Sequence, residues 1–142
     1  ITLPKESAAV LDSIGAERPL YLVTDGNHHV QARKIEALGA ARYFRHCYLT
    51  NRYGRSSAKP STRTFELLLK REHAEPADLV YVADNPAKDF VGLRRLGELT
   101  SRVLTGGQRD DVARPGWEAD FVGDDLSAVE SVVERREARA DH

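Results

Sequence analysis

The sequence contains no methionine and a single cysteine, Cys47. One cysteine excludes an intrachain disulfide. That agrees with a reducing compartment, and a cytoplasmic location is the expectation. No apolar run reaches the length of a membrane span, and no signal peptide is visible at the start. Neither sign of charge is in excess: 21 basic and 22 acidic residues leave a net charge of −1. This balance argues against bulk attraction to nucleic acid or an anionic membrane, while leaving room for a local cationic site. Internal repeats, low-complexity tracts and linkers are also missing, so one domain is expected over residues 1–142. A complete natural chain begins with an initiator methionine or a processed remnant. The start at Ile1 therefore hints at residues upstream.

What is present is a soluble globular composition, 41% hydrophobic and 30% charged, enough for one modest core. The pattern alternates between strands and helices. Residues 20–25 (LYLVTD) form a short apolar run ending in Asp-Gly, suited to a buried parallel strand and its exit turn. A helix is predicted over 29–38, with Val30, Ile35 and Leu38 on one face and Gly39 at its C-terminal cap. Strand 46–50 and a polar loop 51–60 follow. Helix 61–73 has Ser61 or Thr62 as cap, with Phe65, Leu68 and Leu69 on its apolar face. Residues 79–84 (LVYVAD) are the clearest strand. Then come helix 89–96 closed by Gly97, strand 100–105, loop 108–117, edge strand 119–122 and helix 125–135 capped by Asp125. The charged tail from Arg136 is expected to fray. Such alternation predicts a parallel sheet with helices on both faces.

Ligands of open α/β sheets bind beyond the carboxyl ends of the strands. Three polar features lie there. Thr24-Asp25-Gly26 ends the first strand; its hydroxyl and following N–H groups can hold phosphate oxygens, although the same tripeptide also makes an ordinary turn. Lys59-Pro60 precedes a helix; the lysine can neutralise a phosphoryl group beside a carboxylate, or can be a solvated loop residue, and Pro60 fixes the backbone next to it. Asp84-Asn85-Pro86-Ala87-Lys88-Asp89 sets two carboxylates five positions apart across a strand end. Hard oxygen donors in small number suit Mg²⁺, whereas Asp89 alone could simply cap its helix. An acid closing a run of Leu, Val, Tyr and Val, as Asp84 does, needs a partner.

Taken in order, these features resemble motifs two, three and four of the haloacid dehalogenase superfamily. The stretch VYVADNPAKDFVGLRRLG is especially similar to the fourth motif and its following helix, with Ala83 where the family often has glycine. The similarity runs over about residues 20–133. It implies a Rossmann-like three-layer α/β/α sandwich with a mainly parallel sheet, and a phosphohydrolase acting on a small phosphorylated metabolite. By the resemblance, Thr24, with Asp25 and Gly26, binds the phosphoryl group, and Lys59 stabilises its charge. Asp84 then binds a Mg²⁺ ion, directly or through water, and Asp89 supports the metal shell or Lys59. Family enzymes pass through an aspartyl-phosphate intermediate.

The family's first motif, Asp-x-Asp, has no counterpart before Thr24. Asp12 sits inside an amphipathic helical pattern, not at a strand tip. By the resemblance, the strand carrying that motif lies centrally, between those ending in Thr24 and Asp84. An upstream segment or a second chain would then complete the sheet, because unpaired backbone groups are costly. The 35 residues from Thr24 to Lys59 leave no room for a sizeable cap. The rival reading is a catalytically inactive module with a binding, assembly or regulatory role. His28 and His29 read as helix-start surface residues, Cys47 as a buried strand residue, and Trp117 as packing a loop on the sheet.

Overall fold

The structure, a computed structural model, describes residues 3–59 and 61–140. The chain divides into two compact units, one up to Thr64 and one from Phe65 onward.

In the first unit, α1 (Lys5–Gly15) precedes β1 (Tyr21–Thr24), α2 (His28–Ala37) and β2 (His46–Leu49). Val10 and Ile14, four apart, form the buried stripe of α1. β1 and β2 pair in parallel, with Tyr21 opposite His46 and Thr24 opposite Leu49, so the two strands end in step. Asn27 caps α2: its Oδ1 accepts the N–H groups of His29 at 3.0 Å and Val30 at 3.2 Å. Asn27→Ala is expected to lower stability by about 1 kcal/mol, measured by urea unfolding. Gly39, past the end of α2, takes φ 62°, the left-handed conformation that ends helices. The expected apolar face of α2 is only partly realised. Val30 is exposed, and Ile35 and Leu38 are half-buried. The predicted loop after β2 contains two short 3₁₀ turns, Thr50–Tyr53 and Arg55–Ser57. Pro60 lies outside the described residues.

The second unit contains α3 (Arg63–Glu72) from Phe65 onward, then β3 (Val80–Ala83), α4 (Val91–Leu96), β4 (Leu99–Val103), β5 (Phe121–Gly123) and α5 (Ala128–Ala140). Its three strands run in the order β3-β4-β5, all parallel. Phe65, Leu68 and Leu69 recur at helical spacing and are buried, as their pattern predicts. The Phe65 ring meets Tyr81 of β3 edge-on, with centroids 5.0 Å apart. Val129, Val132 and Val133 form the buried stripe of α5.

Several boundaries differ from those the sequence predicts, each for a local reason. The strand expected at 119–122 begins two residues later, because Asp120 is held outside the ladder. Its carboxylate accepts the Thr100 N–H at 2.9 Å and the Thr100 hydroxyl at 3.0 Å, and its own N–H returns to Thr100 Oγ1 at 3.0 Å. The helix expected from Asp125 starts at Ala128, since Asp125 Oδ1 takes the Ser127 N–H at 3.0 Å in a turn ahead of it. The tail expected to fray from Arg136 is helical to Ala140. Arg136 is tied down: Nε donates to the Ala77 carbonyl at 2.6 Å, and the guanidinium pairs with Asp78 at 3.0 Å.

Among the described residues of the second unit, three charged ones, Asp89, Glu98 and Arg102, are almost wholly buried. Arg102, on β4, donates to Glu118 at 2.8 Å and to the carbonyls of Gln108 at 2.9 Å and Asp111 at 2.7 Å. These bonds hold both ends of the segment between β4 and β5. Glu98, just before β4, is 3% exposed, and its Oε2 has no hydrogen-bond partner among the described residues. Burial pushes its pKa up to about 7.

Candidate functional site

In the first unit the candidate residues gather at the carboxyl end of β1. Thr24 is its last residue, and Gly26 turns the chain toward α2 with φ 101°, which strains any side chain. The Asp25 carboxylate joins positions far apart in sequence. Its Oδ1 accepts the Thr50 hydroxyl at 2.7 Å and the Lys59 backbone N–H at 3.2 Å. Thr50 is fully buried. Thr24 and Lys59, separated by 35 residues, are therefore attached to the same strand end through Asp25. Gln31, on the second turn of α2, binds there as well: its Nε2 donates to Thr24 Oγ1 at 3.0 Å and to the Asp25 carbonyl at 2.7 Å.

In the second unit the acidic loop follows β3 directly. Asp84 is half-buried just past the strand end. Asn85 organises the turn, its Oδ1 accepting the Ala87 N–H at 3.0 Å and its carbonyl the Asp89 N–H at 2.9 Å. Asp89 is 3% exposed, and its Oδ2 accepts the Asn85 N–H at 3.0 Å. It does not cap the helix. The expected start at 89 is corrected to Val91, with Phe90 at the cap position, because residues 86–89 are taken up by the turn. The turn thus orients one carboxylate through a backbone donor, at a strand end shared with a second carboxylate.

This donor set fits Mg²⁺. It offers hard carboxylate oxygens in small number, which leaves places for water. Among the described residues, no group of three or more His, Cys, Asp or Glu gathers to hold a metal ion.

Residues 4–97 match the family model of haloacid dehalogenase-like hydrolases. The chain belongs to this family. A glyceraldehyde 3-phosphate phosphatase of Methanocaldococcus jannaschii is 32% identical over 91 residues, 64% of this chain and 39% of that protein. The magnesium-bound HAD-hydrolase YfnB of Bacillus subtilis superposes with a TM-score of 0.80 at 17% identity, covering 92% of this chain and 56% of that one. A predicted phosphoglycolate phosphatase of Haemophilus somnus gives 0.74 at 20% identity, covering 90% and 56%. The fold is the Rossmann-like α/β fold of haloacid dehalogenase-like hydrolases. The chain spans about two fifths of the length of the curated relative and about half of these structures.

Two polar residues at the β1 end escape sequence reasoning. Gln31 looks like a surface helix residue, yet seven positions after Thr24 places it where α2 can reach back to its own entry turn. Thr50 reads as the last residue of β2. The signal was available in the register: two parallel strands ending in step put the residues after Thr24 and Leu49 side by side. His29 is exposed at the start of α2, and Trp117 is half-buried with the Arg114 guanidinium 5.2 Å from its ring centre. Cys47 is half-buried instead of buried, and burial raises its thiol pKa, which weakens it as a nucleophile. No helix among the described residues is long and apolar enough to cross a membrane.

Proposed function

We propose that this chain provides the phosphoryl-binding and metal-binding parts of a cytoplasmic Mg²⁺-dependent phosphohydrolase acting on a small phosphorylated metabolite. The observation that carries the reading is the Asp25 carboxylate. By taking the Lys59 N–H and the Thr50 hydroxyl, it attaches a cationic residue to a strand end that already offers a hydroxyl and a glycine turn. A cation and an array of neutral donors on one strand end suit a phosphoryl group. The M. jannaschii relative, a phosphatase of a three-carbon phosphate by its name, supports a small substrate. The balanced net charge supports a metabolite over a nucleic acid or membrane surface.

In this reading the Thr24 hydroxyl and the N–H groups of Asp25 and Gly26 donate to the phosphoryl oxygens. The Lys59 ammonium offsets their charge as it redistributes. Asp84 and Asp89 hold Mg²⁺, which when bound supplies further charge neutralisation. The nucleophilic aspartate, and with it the aspartyl-phosphate intermediate, comes from an upstream segment or a second chain that adds a strand to the sheet.

The test is p-nitrophenyl phosphate turnover. A polypeptide that includes the upstream aspartate should hydrolyse it with Mg²⁺. Asp84→Asn should lower that rate by about tenfold or more, since ligand-shell changes have effects of this size. The 142-residue chain alone should be inactive. Mg²⁺-dependent turnover by it would show the assignment of Thr24, Lys59 and Asp84 to be wrong. Inactivity of the longer polypeptide on a broad phosphate-ester panel would favour a non-catalytic module.

A further inference from the structure

The side-chain amide of Gln31 has a chemically determined orientation. The Asp25 carbonyl can only accept a hydrogen bond, so the group 2.7 Å from it must be the amide nitrogen and not the amide oxygen. An amide nitrogen carries two hydrogens. One is used on the Asp25 carbonyl, and the other meets Thr24 Oγ1 at 3.0 Å. The Thr24 hydroxyl is thereby made an acceptor toward Gln31. Among the described residues its own proton faces the Asp25 carbonyl at 3.4 Å, a long contact to an oxygen that already accepts from Gln31. Gly26 borders the same arrangement: Gln31 Nε2 lies at ordinary contact distance from where its Cβ would be, and it is the φ of 101° that favours glycine there.

We propose that Gln31 is a positioning residue that polarises the Thr24 hydroxyl, so that its proton is delivered to a phosphoryl oxygen. A threonine hydroxyl in water rotates among several partners. Here one lone pair is filled by a fixed donor, and the remaining role is to donate. This inference rests on the phosphoryl-binding reading of Thr24 and adds to it a residue on α2. Gln31 does not touch the ligand; it sets which way the Thr24 hydrogen bond runs.

Reversing that direction provides the test. Gln31→Glu has nearly the same shape but presents an acceptor to Thr24 and a second oxygen to the Asp25 carbonyl. It turns the Thr24 proton inward. Gln31→Leu removes the donor without competing for the proton. Binding of inorganic phosphate with Mg²⁺, followed by ³¹P NMR titration on the chain as it stands, needs no turnover. Thr24→Val and Gln31→Leu should each weaken binding by about tenfold, and Gln31→Glu by about a hundredfold. The Gln31→Glu deficit relative to wild type should shrink as the pH falls from 7 to 5, because protonation restores a donor. A purely structural role would give no such ordering and no such recovery. Urea midpoints show whether the variants fold, and the isosteric Gln31→Glu keeps the test decisive if Gln31→Leu does not. If Thr24→Val loses phosphate while both Gln31 variants keep wild-type affinity, the inference is overturned and the reading of Thr24 stands. If the wild type binds no phosphate, or Thr24→Val binds as well as wild type, the reading of Thr24 fails and takes the inference with it.

Discussion

Replacing Glu98 by glutamine is expected to raise stability at pH 8 by about 3 kcal/mol and to change it little at pH 4. The side chain is buried just before β4, and its pKa is raised to about 7 because the charged form is desolvated. In the unfolded chain the carboxyl titrates near 4.5. Below that, both states hold the proton and Glu98 contributes no pH dependence. Between about 4.5 and 7 the unfolded chain releases its proton while the folded chain retains it, so stability falls as pH rises. Above about 7 the folded state carries a buried charge and the penalty is complete. Glutamine does not titrate, so the variant loses this part of the slope. Calorimetric Tm values at pH 5 and pH 8 check it: wild type should drop between them by several degrees more than Glu98→Gln. Parallel slopes for the two proteins would show that Glu98 is hydrated in solution and stays charged.

The second large effect is on Arg102. Arg102→Leu should lower stability by about 2 kcal/mol, the scale for removing a buried charged donor from the acceptors it serves. Its guanidinium is buried and serves three acceptors: Glu118, the Gln108 carbonyl and the Asp111 carbonyl. Leucine leaves all three without that donor, although Glu118 is part-exposed and still accepts the Ala119 N–H. Adding Glu118→Gln should recover little of the loss, because the part-exposed Glu118 carboxylate is hydrated and the cost falls mainly on the two carbonyls. Amide hydrogen exchange in residues 108–118 should rise in the single variant, since both anchor carbonyls lie in or beside that segment. A loss confined to global stability, with exchange there unchanged, would mean that Arg102 does not hold the segment.

Most elements of the fold are legible in the sequence because they rest on long apolar patterns. The stripe of Phe65, Leu68 and Leu69 and the runs at 20–25 and 79–84 depend on burial, which periodicity reports directly. The strand and helix starts at Phe121, Val91 and Ala128 were not legible, because single side chains decide them. Asp120, Asp89 and Asp125 each bond to a backbone N–H, and such local competition is invisible to hydrophobic pattern. The site divides in the same way. Thr24, Lys59, Asp84 and Asp89 stand out because strand ends with polar residues are recognisable. Gln31 and Thr50 do not, because their importance comes from partners that only the fold supplies.

The Asp25 carboxylate has an evolutionary consequence. It accepts from Thr50 and from the Lys59 backbone, while the carbonyl of the same residue accepts from Gln31. Loss of the acid at 25 leaves the buried Thr50 hydroxyl and the Lys59 N–H without that acceptor, whereas the Gln31 bond goes to the main-chain carbonyl of residue 25 and does not depend on its side chain. In relatives of this chain, positions 25 and 50 are therefore expected to vary as a pair. A lineage that loses the acid at 25 should also lose the hydroxyl at 50, and would have to find another way to hold its lysine.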